Sequence, residues 1–304
     1  MNITSTSKVL IQGCLEPLAS IHIPLMQTYG TNLVAGVSPG SGGQTIHGIP
    51  VFDMVEQARP VVGDIDISIL FNHPYRLLDA ALEAIAAGIR HIIIVTEGMP
   101  PLDVVQLLHK ADMTETIVLG PNCPGLIMPG QLLLGTYPTA VYQPGSIGII
   151  SRCGTLTHEV AWQLTQAGLG QSIAVGIGSG AIVGSSFAQW LQILDEDDST
   201  DAIVLVGEIN GEGEDIAAQY AEDMIDKPVI AYLAGHRLPQ AATLAHSNNV
   251  LTSHLAASRY PILGNVTVSP VTRKLAALKQ AGIPVAQDPS EVPNLVKAAL
   301  GATT

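Results

Sequence analysis

The residues best suited to chemistry follow apolar stretches in the second half of the chain. Glu208 ends the run VLVGE, and His236 and His246 follow the run PVIAYLAG. Open α/β sheets build their sites at the carboxyl ends of parallel strands, so a carboxylate at a strand end is a candidate site residue. A histidine is partly neutral near pH 7 and can act as a nucleophile. By themselves, these three residues also fit a solvated strand end and surface histidines.

Two turns have the composition of anion sites. The first, IISRCGTLTHEV, places the backbone N–H groups of a helix start beside the Ser151 and Thr155 hydroxyls and the Arg152 charge. The second, VGIGSGAIVGSSF, combines four glycines with neighbouring serines, as in an anion-binding nest. Glycine-rich turns also close many α/β units for steric reasons, so spacing alone leaves both interpretations open.

A third loop, VLIQGCLEPLASIH, has the position of a nucleotide-binding turn after a first strand. Gly13 is its one glycine. Glu16 and Ala19 stand where small residues would let a phosphate approach the backbone, with Pro17 between them. A carboxylate repels a phosphate, and proline removes an N–H donor. We therefore expect only weak binding of a diphosphate here.

The elements that must position these residues alternate between strands and helices. Five apolar runs separated by helical patterns form a first unit: VLIQG, TNLVAGV, DISILF, HIIIVTE and TIVLG. After the proline- and glycine-rich stretch from Gly120 to Gly145 the alternation restarts, with helices from Leu156, around FAQWLQIL and from Glu214. The sequence predicts two α/β domains, residues 1–125 and 126–304.

Composition limits the class of protein. The 304 residues are 47% hydrophobic and carry a net charge of −13, which argues against nucleic acid and anionic membranes as partners. The three scattered cysteines form no disulfide or zinc pattern, and no apolar run is long enough to span a bilayer. The first residues have no signal-peptide pattern, so we expect a cytoplasmic protein without a metal site of its own.

Several of these segments together resemble one family. GPNCPG, SRCGTLTHEV, VGIGSGAIVGSSF, VGEINGEGED and KPVIAYLAG occur in the order and spacing of the succinyl-CoA synthetase α subunit, and the resemblance runs from about Val9 to Leu300. It implies a Rossmann-like CoA-binding domain followed by a flavodoxin-like ligase domain with a parallel sheet. It also implies a small carboxylic acid and CoA as substrates, and a β subunit that supplies ATP or GTP and Mg²⁺.

The resemblance also implies roles for individual residues. His246 matches the histidine that carries phosphate, and Glu208 matches the carboxylate that orients it. Ser151, Gly154, Thr155 and the stretch from Gly178 to Gly184 match the phosphate turns, and His158 matches a tyrosine near the acid substrate. The positions that match the CoA site are Gly13, Val95, Thr96, Glu97 and Asn122.

Other positions depart from the family pattern. Ser41 replaces a lysine, and the family's HAGAI segment reads HSNNV from His246. Three outcomes stay open: CoA binds by another route, the acid is not succinate, or the chain is a non-catalytic or regulatory subunit with a degenerate CoA site. A Rossmann oxidoreductase fits poorly, because no acidic residue ends the second strand, VAGVSPG.

Overall fold

The computed structural model of the chain describes residues 3–180, 182–208, 213–235 and 270–302. Contacts between Cα atoms divide it into two compact units. The first unit holds Met1–Pro144, Val175–Gly178 and Ile182–Ser185, and the second holds Gly145–Ala174, Ser179–Ala181 and Ser186–Thr304. The division at residues 125 and 126 stays a prediction.

The first sheet contains seven strands: β1 (Val9–Gln12), β2 (Leu33–Val37), β3 (Thr45–Ile46), β4 (Ile49–Phe52), β5 (Ile67–Leu70), β6 (His91–Ile94) and β7 (Ile117–Leu119). Their order is β3-β4-β2-β1-β5-β6-β7, and β3 runs antiparallel to β4 while the other pairs are parallel. The strands after β1 are added on one side of it up to β4, and the strands from β5 onward are added on its other side, so the strand order reverses between β1 and β5. In this topology ligands bind in the crevice at that reversal, beyond the carboxyl ends of the strands.

Helices α1 (Pro17–Thr28), α2 (Val55–Val62), α3 (Leu77–Ala86) and α4 (Pro101–Met113) alternate with these strands. β1 and β5 are buried along their whole length, as expected for parallel strands covered on both faces. Each of the five predicted apolar runs contains one strand, so this part of the prediction is confirmed.

The second sheet contains β8 (Gly125–Met128), β9 (Leu132–Gly135), β10 (Pro144–Ser151), β11 (Gln171–Gly176), β12 (Ala202–Glu208), β13 (Val229–Ala234) and β14 (Val285–Ala286). Their order is β14-β13-β12-β10-β11-β8-β9. Strands β10, β12, β13 and β14 are parallel, and β8 and β9 form an antiparallel pair. The carboxyl ends of β10 and β12 therefore lie at the same edge of the sheet.

Within the described residues, the second unit contains α5 (Gly154–Gln166), α6 (Phe187–Asp195), α7 (Glu214–Met224), α8 (Pro270–Gln280) and α9 (Val292–Ala302). The predicted helices around FAQWLQIL and from Glu214 are confirmed. The predicted start of α5 at Leu156 is wrong by two residues. The Thr157 N–H group and hydroxyl both donate to the Cys153 carbonyl, which closes the first helical turn earlier than the apolar pattern indicates.

Candidate active site

Glu208 is the last residue of β12, where the sequence analysis predicts it. In the register between β10 and β12, Ser151 is the partner of Val206, so the two strands end within two residues of each other. The Glu208 side chain is only 13% exposed. A carboxylate at this edge is mostly removed from water, which strengthens its electrostatic interactions with its neighbours.

Arg152 supplies a buried positive charge beside this carboxylate. Its side chain is 4% exposed, and its Nε atom lies 3.8 Å from Oε1 of Glu208. Its Nη2 group donates a hydrogen bond to the carbonyl of Gly180. The sequence analysis assigns the Arg152 charge to an anion site, whereas the structure directs the guanidinium to Glu208 and to a carbonyl. Arg152 therefore balances the charge of Glu208, as a buried ion requires.

Ser151 shapes the turn before α5. Its side chain is buried, and its Oγ atom accepts the Cys153 N–H at 3.0 Å and donates to the Cys153 carbonyl at 3.0 Å. The Ser151 hydroxyl is therefore engaged within the turn. Gly154 and Thr155 begin the helix, and a Cβ atom added at Gly154 would meet no atom within 4 Å. The first N–H groups of a helix favour an anion, so these two residues stay candidates for a phosphate site.

The second glycine-rich turn has a packing role at two of its glycines. A Cβ atom at Gly178 would lie 2.5 Å from the Pro121 carbonyl oxygen, and one at Gly184 would lie 2.4 Å from that of Val118. Any larger residue would force these backbones apart. The steric interpretation left open by the sequence therefore holds at both positions.

Of the three candidate histidines, the described residues include only His158. His158 is half-buried on α5, and burial lowers the pKa of its imidazole below 6.5. The neutral ring suits a hydrogen bond to a substrate better than an ion pair at pH 7. His246 lies outside the described residues, as does His236.

Gly13 lies at the end of β1, in the crevice of the first sheet. Its φ is +70°, and a Cβ atom there would lie 2.7 Å from the Asn72 backbone nitrogen, so only glycine fits. The Gly13 and Cys14 N–H groups donate to the Val37 carbonyl at 2.9 and 3.4 Å, and the Glu16 N–H donates to Gly13. These donors are thus satisfied within the protein instead of pointing to a ligand.

Asp53 is a feature of the first unit that the sequence analysis does not find. Its Oδ1 atom accepts the N–H groups of Gly40 and Gly42 at 2.7 and 2.9 Å. Neighbouring N–H groups that converge in a glycine turn form the kind of concavity that binds an anion. In this chain an internal carboxylate occupies it, beside the Ser41 that replaces the family lysine.

The other predicted CoA residues surround the end of β6. Val95 is buried, Thr96 is half-buried and Glu97 is exposed directly after this strand. The Asn122 N–H donates to the Thr96 carbonyl at 3.1 Å, with Asn122 at a φ of +56°. The structure therefore brings these predicted residues together at one strand end.

Two findings concern the described residues as a set. They contain no group of three or more His, Cys, Asp or Glu side chains that could hold a metal ion. In the same part of the chain, no helix is both long and apolar enough to cross a membrane.

Two protein-family models match the chain, one for each of the two sheets. Residues 4–98 match the CoA binding domain, and residues 144–260 match the succinyl-CoA ligase like flavodoxin domain. The fold and these two matches thus define a two-domain chain of the CoA-ligase class.

The chain belongs to the succinate–CoA ligase α-subunit family. It is 38% identical over 290 residues to subunit alpha 2 of the ADP-forming succinate–CoA ligase of Archaeoglobus fulgidus, covering 95% of this chain and 96% of that one. It is 36% identical over 292 residues to the corresponding α subunit of Aquifex aeolicus, covering 95% of this chain and 91% of that one. The family resemblance and the predicted fold class are confirmed.

Solved structures share the fold at lower identity. ATP citrate lyase from Methanothrix soehngenii in complex with citrate and coenzyme A matches 99% of this chain with a TM-score of 0.82 and 19% identity. The dinucleotide forming acetyl-coenzyme A synthetase 1 of Ca. Korarchaeum cryptofilum, in complex with phosphate and ADP, matches 97% with a TM-score of 0.68 and 20% identity. This chain spans 51% of the lyase chain and 59% of the synthetase chain.

Proposed function

We propose that this chain is the catalytic α subunit of an acid–CoA ligase of the succinate–CoA ligase type. The observation that carries the proposal is the 38% identity to such an α subunit over nearly the full length of both chains. A β subunit supplies ATP or GTP with Mg²⁺, and the acid is a small carboxylic acid. The complex works in the cytoplasm and joins the acid to the CoA thiol, releasing nucleoside diphosphate and phosphate.

In this proposal His246 carries the phosphoryl group and Glu208 orients its imidazole. A carboxylate that accepts one ring N–H fixes the tautomer, leaves the other nitrogen nucleophilic and stabilises the positive charge that develops. The burial of Glu208 and the nearby Arg152 support this role, because together they hold the carboxylate in place. Gly154 and Thr155, at the start of α5, would bind the transferred phosphate, and His158 would contact the acid.

Formation of a thioester tests the proposal. The chain is purified in complex with its β subunit and incubated with Mg²⁺, CoA, succinate and either ATP or GTP. We expect thioester and nucleoside diphosphate to form in equal amounts, at about 1–10³ s⁻¹, a typical enzyme rate. Omission of the chain, the acid or CoA should stop thioester formation. Absence of any thioester with succinate and a panel of other short carboxylic acids would contradict a catalytic role and favour the non-catalytic subunit.

In this proposal CoA binds in the crevice of the first sheet, but the charge near its phosphate groups is unfavourable. CoA contacts the residues around Val95 and Asn122, whereas the N–H groups of the Gly13 turn are already satisfied and Glu16 adds a negative charge at the start of α1. A carboxylate about 5 Å from a phosphate costs roughly 1–3 kcal/mol at an effective dielectric between about 20 and that of water. We therefore expect CoA to bind more weakly than the crevice alone would allow.

Restoring the charge should tighten CoA binding. Glu16→Gln with Ser41→Lys raises the local charge by two units, and we expect affinity for CoA to rise about 10- to 100-fold at low salt, with less gain at high salt. Isothermal titration calorimetry measures the affinity for CoA at low and at high salt. Asp223→Asn with Met224→Lys, at exposed positions of α7, makes the same change in net charge and serves as the control. Equal affinity for all three proteins would refute the electrostatic explanation.

A further inference from the structure

A fully buried ion pair lies directly behind the end of β12. Lys274, on α8, and Glu214, the first residue of α7, each have a side chain that is 0% exposed. The Lys274 Nζ atom lies 3.0 Å from the Glu214 Oε2 atom. Burying two charges is costly, and apolar residues of similar volume often serve stability equally well or better. A buried pair at this place therefore calls for a role beyond stability.

Both members of the pair bind the backbone of Glu208. The Glu208 N–H donates to Oε1 of Glu214 at 3.0 Å, and Lys274 Nζ donates to the Glu208 carbonyl at 2.7 Å. The two backbone polar groups of one residue are thus held by opposite ends of one ion pair. We propose that Lys274 and Glu214 are positioning residues that fix the Glu208 carboxylate for its work on the phosphate-carrying histidine.

Gly207 gives Glu214 the space that this arrangement needs. A Cβ atom at Gly207 would lie 2.9 Å from Glu214 Cγ, 3.0 Å from its Oε1 atom and 2.9 Å from Leu233 Cδ1 on the neighbouring strand. The backbone of β12 therefore approaches the Glu214 side chain as closely as a residue without a side chain allows. The close packing of Glu214 and Leu233 explains a glycine in the penultimate position of the strand.

The reason for holding Glu208 so firmly lies in its position. It is the final residue of its strand, and a carboxylate that orients a nucleophile must stay within a fraction of an ångström of its place. Two charge-assisted hydrogen bonds to the Glu208 backbone are stronger and more directional than neutral ones. The inference rests on the proposed role of Glu208, and the experiment below distinguishes a failure of that role from a failure of the role of the buried pair.

A neighbouring ion pair on the same helices provides a matched control. Arg273 and Asp215 lie one residue away from Lys274 and Glu214 in the sequence, and Arg273 Nε is 3.1 Å from Asp215 Oδ2. The Arg273 side chain is 57% exposed and that of Asp215 is 27% exposed. This pair joins α7 and α8 as the buried pair does, but it lies at the protein surface.

The experiment compares Lys274→Met with Glu214→Leu against Arg273→Met with Asp215→Leu, in the complex with the β subunit. We expect the first double variant to lower the rate of phosphate transfer from the labelled nucleoside triphosphate to the chain about 10- to 100-fold. The control should change it less than about twofold. Similar circular dichroism spectra are required of both.

Repeating both double variants in the Glu208→Gln protein shows whether the buried pair acts through the Glu208 carboxylate or only through the stability of the fold. If the buried pair acts through Glu208, its removal should slow the Glu208→Gln protein less than about twofold, because the effects of coupled residues do not add. A purely structural pair would reduce the rate by the same factor in both backgrounds, which would overturn the inference. If Glu208→Gln alone leaves the rate unchanged, the proposed role of Glu208 fails instead.

Amide hydrogen exchange gives a readout that does not depend on catalysis, and its first measurement uses the unmodified protein. In the unmodified protein, the Glu208 amide should exchange at least about tenfold more slowly than an exposed amide, because it donates to Glu214. In the Gly207→Ala protein, in which Glu214 is displaced, this protection should be lost. An unprotected Glu208 amide in the unmodified protein would refute the arrangement.

Discussion

His246→Asn is expected to abolish phosphate labelling of the chain in complex with its β subunit and a γ-labelled nucleoside triphosphate. Asparagine keeps a polar side chain of similar reach but has no nucleophilic ring nitrogen, so we expect a rate lower by at least about 10⁴-fold. In the unmodified protein the label should be lost in acid and retained in base, as a phosphorus–nitrogen bond requires. The measurement is the time course of labelled chain after denaturation.

His236→Asn and His158→Asn are the controls for this experiment. His236→Asn should keep the full rate of labelling, and His158→Asn should keep labelling by nucleotide while thioester formation slows. Label that persists in His246→Asn, or that disappears with His236→Asn, would contradict the assignment of His246 as the phosphate carrier.

Glu208→Gln should have the second largest effect on the rate of phosphate transfer, after His246→Asn. The amide keeps the size of the side chain and removes the charge that orients the histidine and stabilises its charged form. In a comparable arrangement the loss is about 10⁴-fold, and we expect phosphate transfer to fall by about 10²- to 10⁴-fold. The chain should still fold, since Glu214 and Lys274 bind the backbone of residue 208, but its melting temperature should fall because Arg152 loses the charge that balances it.

Glu159→Gln, an exposed carboxylate on α5, is the matched control. It should leave both the rate of phosphate transfer and the melting temperature unchanged. Phosphate transfer by Glu208→Gln at the rate of the unmodified protein would refute the orienting role. Loss of a cooperative thermal transition in Glu208→Gln would show that the side chain serves the fold, together with Arg152.

Much of the fold could be predicted because its strands are local apolar runs. VLIQG and DISILF become β1 and β5, and each is buried over its whole length, so composition alone marks them. The start of α5 could not be predicted to the residue. It depends on hydrogen bonds to the Cys153 carbonyl, which the hydrophobic pattern does not register.

The candidate site shows the same division. The location of Glu208 follows from one run of apolar residues and the rule that sites lie at carboxyl ends of parallel strands. The partner of Arg152 was not predictable, since a basic residue in a turn suits an anionic ligand as well as a distant carboxylate. Asp53, which fills the turn of Gly40 and Gly42, was missed for a similar reason: no local pattern marks its carboxylate as an internal acceptor.

The sequence by itself determined the family, the two α/β domains, the order of most strands along the chain and the residues that match the family's site. Only the tertiary structure decided which charges meet. Lys274 lies 60 residues after Glu214 in sequence, yet the two side chains are 3.0 Å apart. Local patterns report burial and periodicity, which depend on neighbours in the chain. Contacts across such separations depend on how strands and helices pack, and a single sequence carries no local signal for them.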